Sequence, residues 1–93
     1  MQNTDNIIAA IESITADGST CRLIDIRNYM VRRFGVSLET TAISAEIRRS
    51  CRPSLHTKAR GFRTIDSKQV SPLQKVHTYW IRRMTKQEKE QAQ

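Results

Sequence analysis

Aromatic residues make up only 5% of this 93-residue chain, so Ile, Leu and Val must fill any core it has. The same shortage leaves no aromatic platform of the kind that single-strand RNA readers stack bases on. There are two cysteines, Cys21 and Cys51, thirty residues apart, with no C-x-x-C and no Cys/His cluster. That spacing argues against zinc and favours structural or free thiols over a disulfide or a ligand role. No run approaches eighteen apolar residues, so no membrane span is expected. The opening Met1-Gln2-Asn3-Thr4-Asp5 has neither a basic region nor a long apolar stretch, so no signal peptide is expected, and a reduced, cytoplasmic setting follows by default.

Chemistry-bearing motifs are missing as well. There is no Gly-rich phosphate loop, no H-E-x-x-H and no nucleophile elbow. His56 and His77 lack carboxylate or Cys partners at ligand spacing and read as surface or strand residues. The expectation is a protein that is not an enzyme and takes no cofactor, metal or evident small-molecule ligand. No internal repeat or low-complexity block stands out.

What is present is positive charge, in one place. The formal net charge is +7. Up to residue 46, Arg22, Arg27, Arg32 and Arg33 are outweighed by Asp5, Glu12, Asp17, Asp25, Glu39 and Glu46. From residue 47 to residue 86, eleven Lys and Arg face Asp66 alone. Segregation on this scale points to a polyanionic partner more than to general solubility. The length suits one domain, which buries roughly 60–65% of its unfolded surface around a modest core.

Hydrophobic spacing predicts a first helix over 5–16, with Ile7, Ile8, Ile11 and Ile14 on one stripe and Thr4 or Asp5 as cap. Asp17-Gly18 ends it. Thr20-Cys21-Arg22 has room for a short strand. A second helix follows over 22–34, its buried side marked by Leu23, Ile26, Tyr29 or Met30, and Phe34. Phe34-Gly35-Val36-Ser37 is a sharp break, with Gly35 free to take a left-handed backbone and Val36 able to plug the angle between helices. Leu38 to about Cys51 reads as a third helix with Leu38, Ile43 and Ile47 inward, capped by Ser37, Thr40 or Thr41 and ended by Pro53. Residues 62–66 and 76–81 have strand composition and flank a long polar tip, Ser67 to Lys75. The domain is therefore drawn over 1–83, and 84–93 is a polar tail, either a frayed helix or disordered.

The order of helix, helix, turn, helix and hairpin is that of winged-helix proteins. The turn Phe34-Gly35-Val36-Ser37 is similar to that of many helix-turn-helix regulators. The stretch Thr41-Ala42-Ile43-Ser44-Ala45-Glu46-Ile47-Arg48, with Gly61, Ile65 and Tyr79-Trp80-Ile81 after it, resembles small winged helix-turn-helix proteins of bacteriophages and prophages. In that group a T-x-I-S-A-x-I-R helix precedes a hairpin ending in Y-x-L or Y-W-L. The likeness spans about residues 20–82. The chain departs from it at Glu46, where the group often has Arg or Lys, and in its longer hairpin tip.

The resemblance implies an α+β fold, mostly α: a three-helix winged helix-turn-helix with a C-terminal β-hairpin wing. It also implies sequence-specific binding of double-stranded DNA by a transcriptional regulator or DNA-accessory protein, with a homodimer as one form. By position in the pattern, Thr40, Thr41, Ser44, Ala45 and Arg48 would meet base edges in the major groove. Arg49 and Arg52 would extend the basic face. Lys58, Arg60 and Arg63, with Lys68 and Lys75 beside the tip, would meet phosphates or the minor groove. Tyr79 and Ile81 would face the helices, leaving Trp80 more exposed. Two other readings compete: a protein-interaction module on the same scaffold with an acidic partner, and an RNA binder.

Overall fold

The computed structural model describes residues 3–92. Met1, Gln2 and Gln93, which the sequence assigned to the start of the domain and the end of the tail, lie outside the described residues. The fold is α+β and mostly helical, with one small antiparallel sheet. In chain order come α1 (Asn3–Ile14), β1 (Cys21–Arg22), α2 (Leu23–Phe34), α3 (Thr40–Glu46), a π turn (Ile47–Cys51), α4 (Arg52–Leu55), a 3-10 turn (Lys58–Arg60), β2 (Arg63–Ser71), β3 (Gln74–Arg83) and α5 (Lys86–Ala92). No helix among the described residues is long and apolar enough to cross a membrane.

The core is aliphatic, as the shortage of aromatics requires. Ile7, Ile8 and Ile11 from α1 meet Ile26 and Met30 from α2, Ile43 and Ile47 from the third helical stretch, and Ile65 and Tyr79 from the sheet. Ile14, Leu23, Tyr29, Val36, Leu38 and Ile81 close its rim. Both cysteines are buried unpaired thiols within it. Phe34 was expected inside but is 38% exposed. It is the last residue of α2, and its ring rests edge-on against Tyr29 at 5.9 Å. Gly35, at φ 67°, turns the chain there, so Val36 packs on the core instead. The Asp25 carboxylate accepts the Arg22 N–H at 2.9 Å and fixes the start of α2.

The third helical stretch differs most from its expected form. It starts at Thr40 with Glu39 as cap, and no side chain among Ser37, Thr40 or Thr41 caps it. It does not stop before Pro53 but runs to Leu55 through the π turn. Pro53 has no N–H, and its ring crowds the carbonyl four residues back, so a regular α-helix would be broken there. In the widened turn the Arg52 N–H reaches the Ile47 carbonyl instead. The buried residues Ile43, Ile47, Cys51 and Leu55 recur every four positions. In a regular helix of 3.6 residues per turn that stripe would drift by about 40° at each step. The wider turn takes up the drift and keeps all four against the core.

The sheet has the order β1-β3-β2, with Cys21 opposite Tyr79 and Ile65 opposite Ile81. The short strand at Cys21–Arg22 lies where the sequence left room for one. The expected long tip does not exist. Pairing continues to Ser71 opposite Gln74, leaving Pro72-Leu73 as a two-residue turn, with an irregularity between Gln69 and Ser71. Val70, β-branched and therefore suited to a strand, lies inside this extension. At Thr64 and Ile65 the free edge of β2 is covered by the helix beside it. Arg52 Nε donates to the Ile65 carbonyl at 2.8 Å, and His56 Nε2 lies 3.0 Å from Thr64 Oγ1.

The polar tail is an ordered helix. Thr85 and Glu88 cap α5 reciprocally: the Thr85 N–H donates to Glu88 Oε1 at 2.8 Å, and the Glu88 N–H to Thr85 Oγ1 at 3.2 Å. Arg82 ties α5 to the hairpin. Its Nε donates to Asp66 at 2.8 Å, and its two terminal nitrogens to Glu88 at 2.8 and 2.9 Å. Met84 is buried, and Lys89 Nζ lies 5.3 Å from the centre of the Phe62 ring.

Candidate nucleic-acid interface

Two adjoining hollows that share Ser44, His77 and Tyr79 form a cleft between the third helical stretch and the inner face of the hairpin. Thr40, Ser44, Arg48 and Arg52 recur every four residues and line its helical wall. The π turn that keeps the buried stripe aligned keeps this second stripe aligned too. The opposite wall is Ser67, Lys75, Val76, His77 and Tyr79. Arg22, Leu23 and Ile24, at the start of α2, close one end. The hairpin register explains the opposite wall. Ser67 pairs with Tyr79 and Gln69 with His77, so residues of this parity share the face that meets the core lower down.

Charge in the cleft has one sign. Arg22, Arg48, Arg52 and Lys75 line it, and among the described residues no carboxylate does. Arg48 and Lys75 are exposed and make no ion pair among the described residues. Arg52 is half-buried and already engaged with the Ile65 carbonyl, so it holds the cleft together as well as lining it. Thr41 is exposed beside this stripe, and Ala45 is half-buried. Arg49 is exposed and pairs with Glu46 one turn back on the same helix.

The remaining sequence candidates lie elsewhere. Arg60 pairs with Asp5 at 2.5 Å, and Arg63 with Glu12 at 2.8 Å and with the Arg60 carbonyl at 2.9 Å. Both are therefore held against α1 and do not line the cleft. Lys58 is exposed on the 3-10 turn. Lys68 is on the hairpin's other face, in a shallow groove with Thr15, Gly18, Ser19, Thr20, Thr78 and Trp80. Lys68 and Lys75 thus flank the hairpin from opposite sides.

Among the cleft residues not chosen from the sequence, Arg22 and His77 are the ones with basic side chains. Arg22 precedes α2 and reaches the cleft only because β1 pairs with β3, Arg22 opposite Thr78. The strand parity that sends Tyr79 inward also sends His77 to the same face, and that signal was available in the sequence. Burial pushes the Cys21 thiol up to about 12 and the Cys51 thiol up to about 11, with Asp25 and Asp5 as lesser causes. Neither cysteine belongs to the cleft.

Comparison of the chain with protein-family models, with curated proteins and with solved structures finds no match.

Proposed function

We propose that the chain is a winged helix-turn-helix protein of the bacteriophage and prophage type that binds double-stranded DNA sequence-specifically, as a transcriptional regulator or a DNA-accessory protein. The observation that carries this reading is the cleft: a helix face of Thr40, Ser44 and Arg48 opposite Lys75 and His77, cationic and without a carboxylate. In this reading α3 and the π turn enter the major groove, and the β2–β3 hairpin is the wing. Arg48 grips a guanine through two hydrogen bonds to O6 and N7. Ser44 and Thr41 donate to base edges or phosphates, and Ala45 meets a thymine methyl. Arg22, Lys68 and Lys75 neutralise phosphates and release counterions, which supplies the sequence-independent part of the affinity. Arg60 and Arg63 serve the fold through α1 and are left out of the interface.

Selection from a random duplex pool tests the reading. The expected result is one enriched motif, with discrimination at a single guanine lost in Arg48→Ala. A pool that stays random, with equal recovery of a neutral control protein, rejects it. Inverted symmetry in the motif would mark a dimer.

A second reading, a protein-interaction module, draws on α2. Ile24 and Val31, seven residues apart on one side of that helix, are exposed, as is Phe34 three residues on. Sedimentation over a wide concentration range tests self-association through this side. A shift to dimer that Val31→Asp removes supports it, and a monomer throughout counts against it.

A further inference from the structure

Tyr79 is buried where β2 and β3 leave the core, and beyond that point the hairpin projects. From Ser67 to Ser71 it extends four residues, roughly 13 Å at the rise of a strand. Its end is apolar: Leu73 is 95% exposed and Val70 is 49% exposed, with Pro72 in the turn. An exposed leucine by itself means little. Here three further observations accompany it. The tip is braced, because Gln69 Nε2 donates to the Ser71 carbonyl at 2.9 Å and to the Gln74 carbonyl at 3.0 Å, while the Leu73 N–H donates to Ser71 Oγ at 3.3 Å. The tip is narrow, because the turn has only two residues. Its surroundings are cationic, because Lys75 lies two residues from Leu73 and the sequence has no carboxylate between Asp66 and Glu88.

We propose that Leu73, backed by Pro72, is a wedge that enters the minor groove beside the site read by α3, partly unstacks a base step and bends the duplex. This rests on the DNA-binding reading and adds a second activity, DNA bending, to it. The minor groove is about 6 Å wide, too narrow for a two-stranded ribbon but open to a leucine side chain projecting from its end. Apolar side chains of this class, leucine and proline among them, open base steps when a cationic scaffold holds them in the groove. Lys75, exposed two residues from Leu73, is placed to meet a phosphate chain that borders the groove. The bracing by Gln69 means that little tip entropy is lost on insertion.

The test uses the full chain and linear duplexes of about 100 bp, shorter than the roughly 150 bp persistence length, so that ring closure by ligase is rare without a bend. Duplex retardation and circle yield are measured in the same low-salt buffer. Wild-type protein is expected to raise circle yield by about tenfold. Leu73→Ser is expected to bind within about threefold of wild type yet return circle yield close to baseline, while Leu73→Met keeps it high. With no packing to lose, Leu73→Ser should leave the melting temperature unchanged. Binding without increased circle yield in wild type overturns the wedge and leaves the DNA-binding reading intact. Leu73→Ser that circularises as well as wild type also overturns it. So does a variant whose circle yield falls only in proportion to its binding, or one that loses affinity for anionic vesicles while circularising normally. Absence of duplex binding removes both proposals.

Discussion

Arg48 and Arg52 line one cleft four residues apart, yet they are bound to different tasks. Arg48 is exposed and without an ion pair among the described residues, whereas Arg52 donates to the Ile65 carbonyl on the edge strand. Arg48→Ala is therefore expected to weaken duplex binding by about 1–3 kcal/mol while the thermal transition stays in place. Arg52→Ala is expected to lose about 1.5–3 kcal/mol of stability, since a charged hydrogen bond disappears and a strand carbonyl loses its partner. Fluorescence anisotropy and thermal denaturation on the two variants separate these outcomes. The cysteines make a second residue-scale prediction. Burial raises both thiols well above their ordinary range, so neither should react with a thiol reagent at pH 8 until the chain unfolds. A stoichiometric reaction in the native state would contradict this. The helix candidates were legible in the sequence because residues four apart share a helix face. The engagement of Arg60 and Arg63 was not, since their partners lie 55 and 51 residues away and no local rule brings them together.

At the scale of elements, two turns and one docked helix carry the risk. Gly35 holds φ 67° between α2 and α3, a backbone that costs a residue with a Cβ about 1–2 kcal/mol. Gly35→Ala is expected to lose that amount in a denaturant titration, although nothing lies within 4 Å of the added methyl. The docking of α5 should depend on pH. The Arg82 guanidinium, helped by the Thr85 N–H, holds the Glu88 carboxyl down at about 2, and Arg82 also lowers Asp66. A depressed folded value means that the contact is complete above the ordinary carboxylate range and is lost as pH falls from there towards 2. Protection of the α5 amides against hydrogen exchange, taken relative to the intrinsic rate at each pH, should fall over that window, and Arg82→Gln should lower it already at neutral pH. Equal protection at pH 6 and pH 2.5 would contradict the account. The helices α1 and α2 were legible because their apolar residues keep helical spacing and Gly35 marks a stop. The π turn was not, because a proline at position 53 normally reads as a helix end. The capping box Thr85-Lys86-Gln87-Glu88 was in plain view. A tail without an apolar stripe gives no local reason to expect docking, and Arg82 supplies that reason only in three dimensions.

For the molecule as a whole, the claim is that folding gathers cations from Arg22, Arg48, Arg52 and Lys75 around one cleft, while Arg60, Arg63 and Arg82 are tied to Asp5, Glu12, Asp66 and Glu88. The charge segregation along the chain anticipated a basic surface but not its shape. Shape depended on which arginines found carboxylates and on a hairpin longer than its composition suggested. The most direct test is the salt dependence of duplex affinity for wild type, for Arg48→Ala with Lys75→Ala, and for Arg33→Ala, a control on an exposed residue of α2 outside the cleft. The account predicts that log affinity falls with log salt at a slope of about −3, about one unit for each of Arg22, Lys68 and Lys75 on phosphates. The slope should become shallower by about 1 in the double variant, whose Arg48 half lowers affinity and base discrimination, and stay unchanged in the control. A flat dependence, or equal losses from the cleft pair and from Arg33, would contradict it.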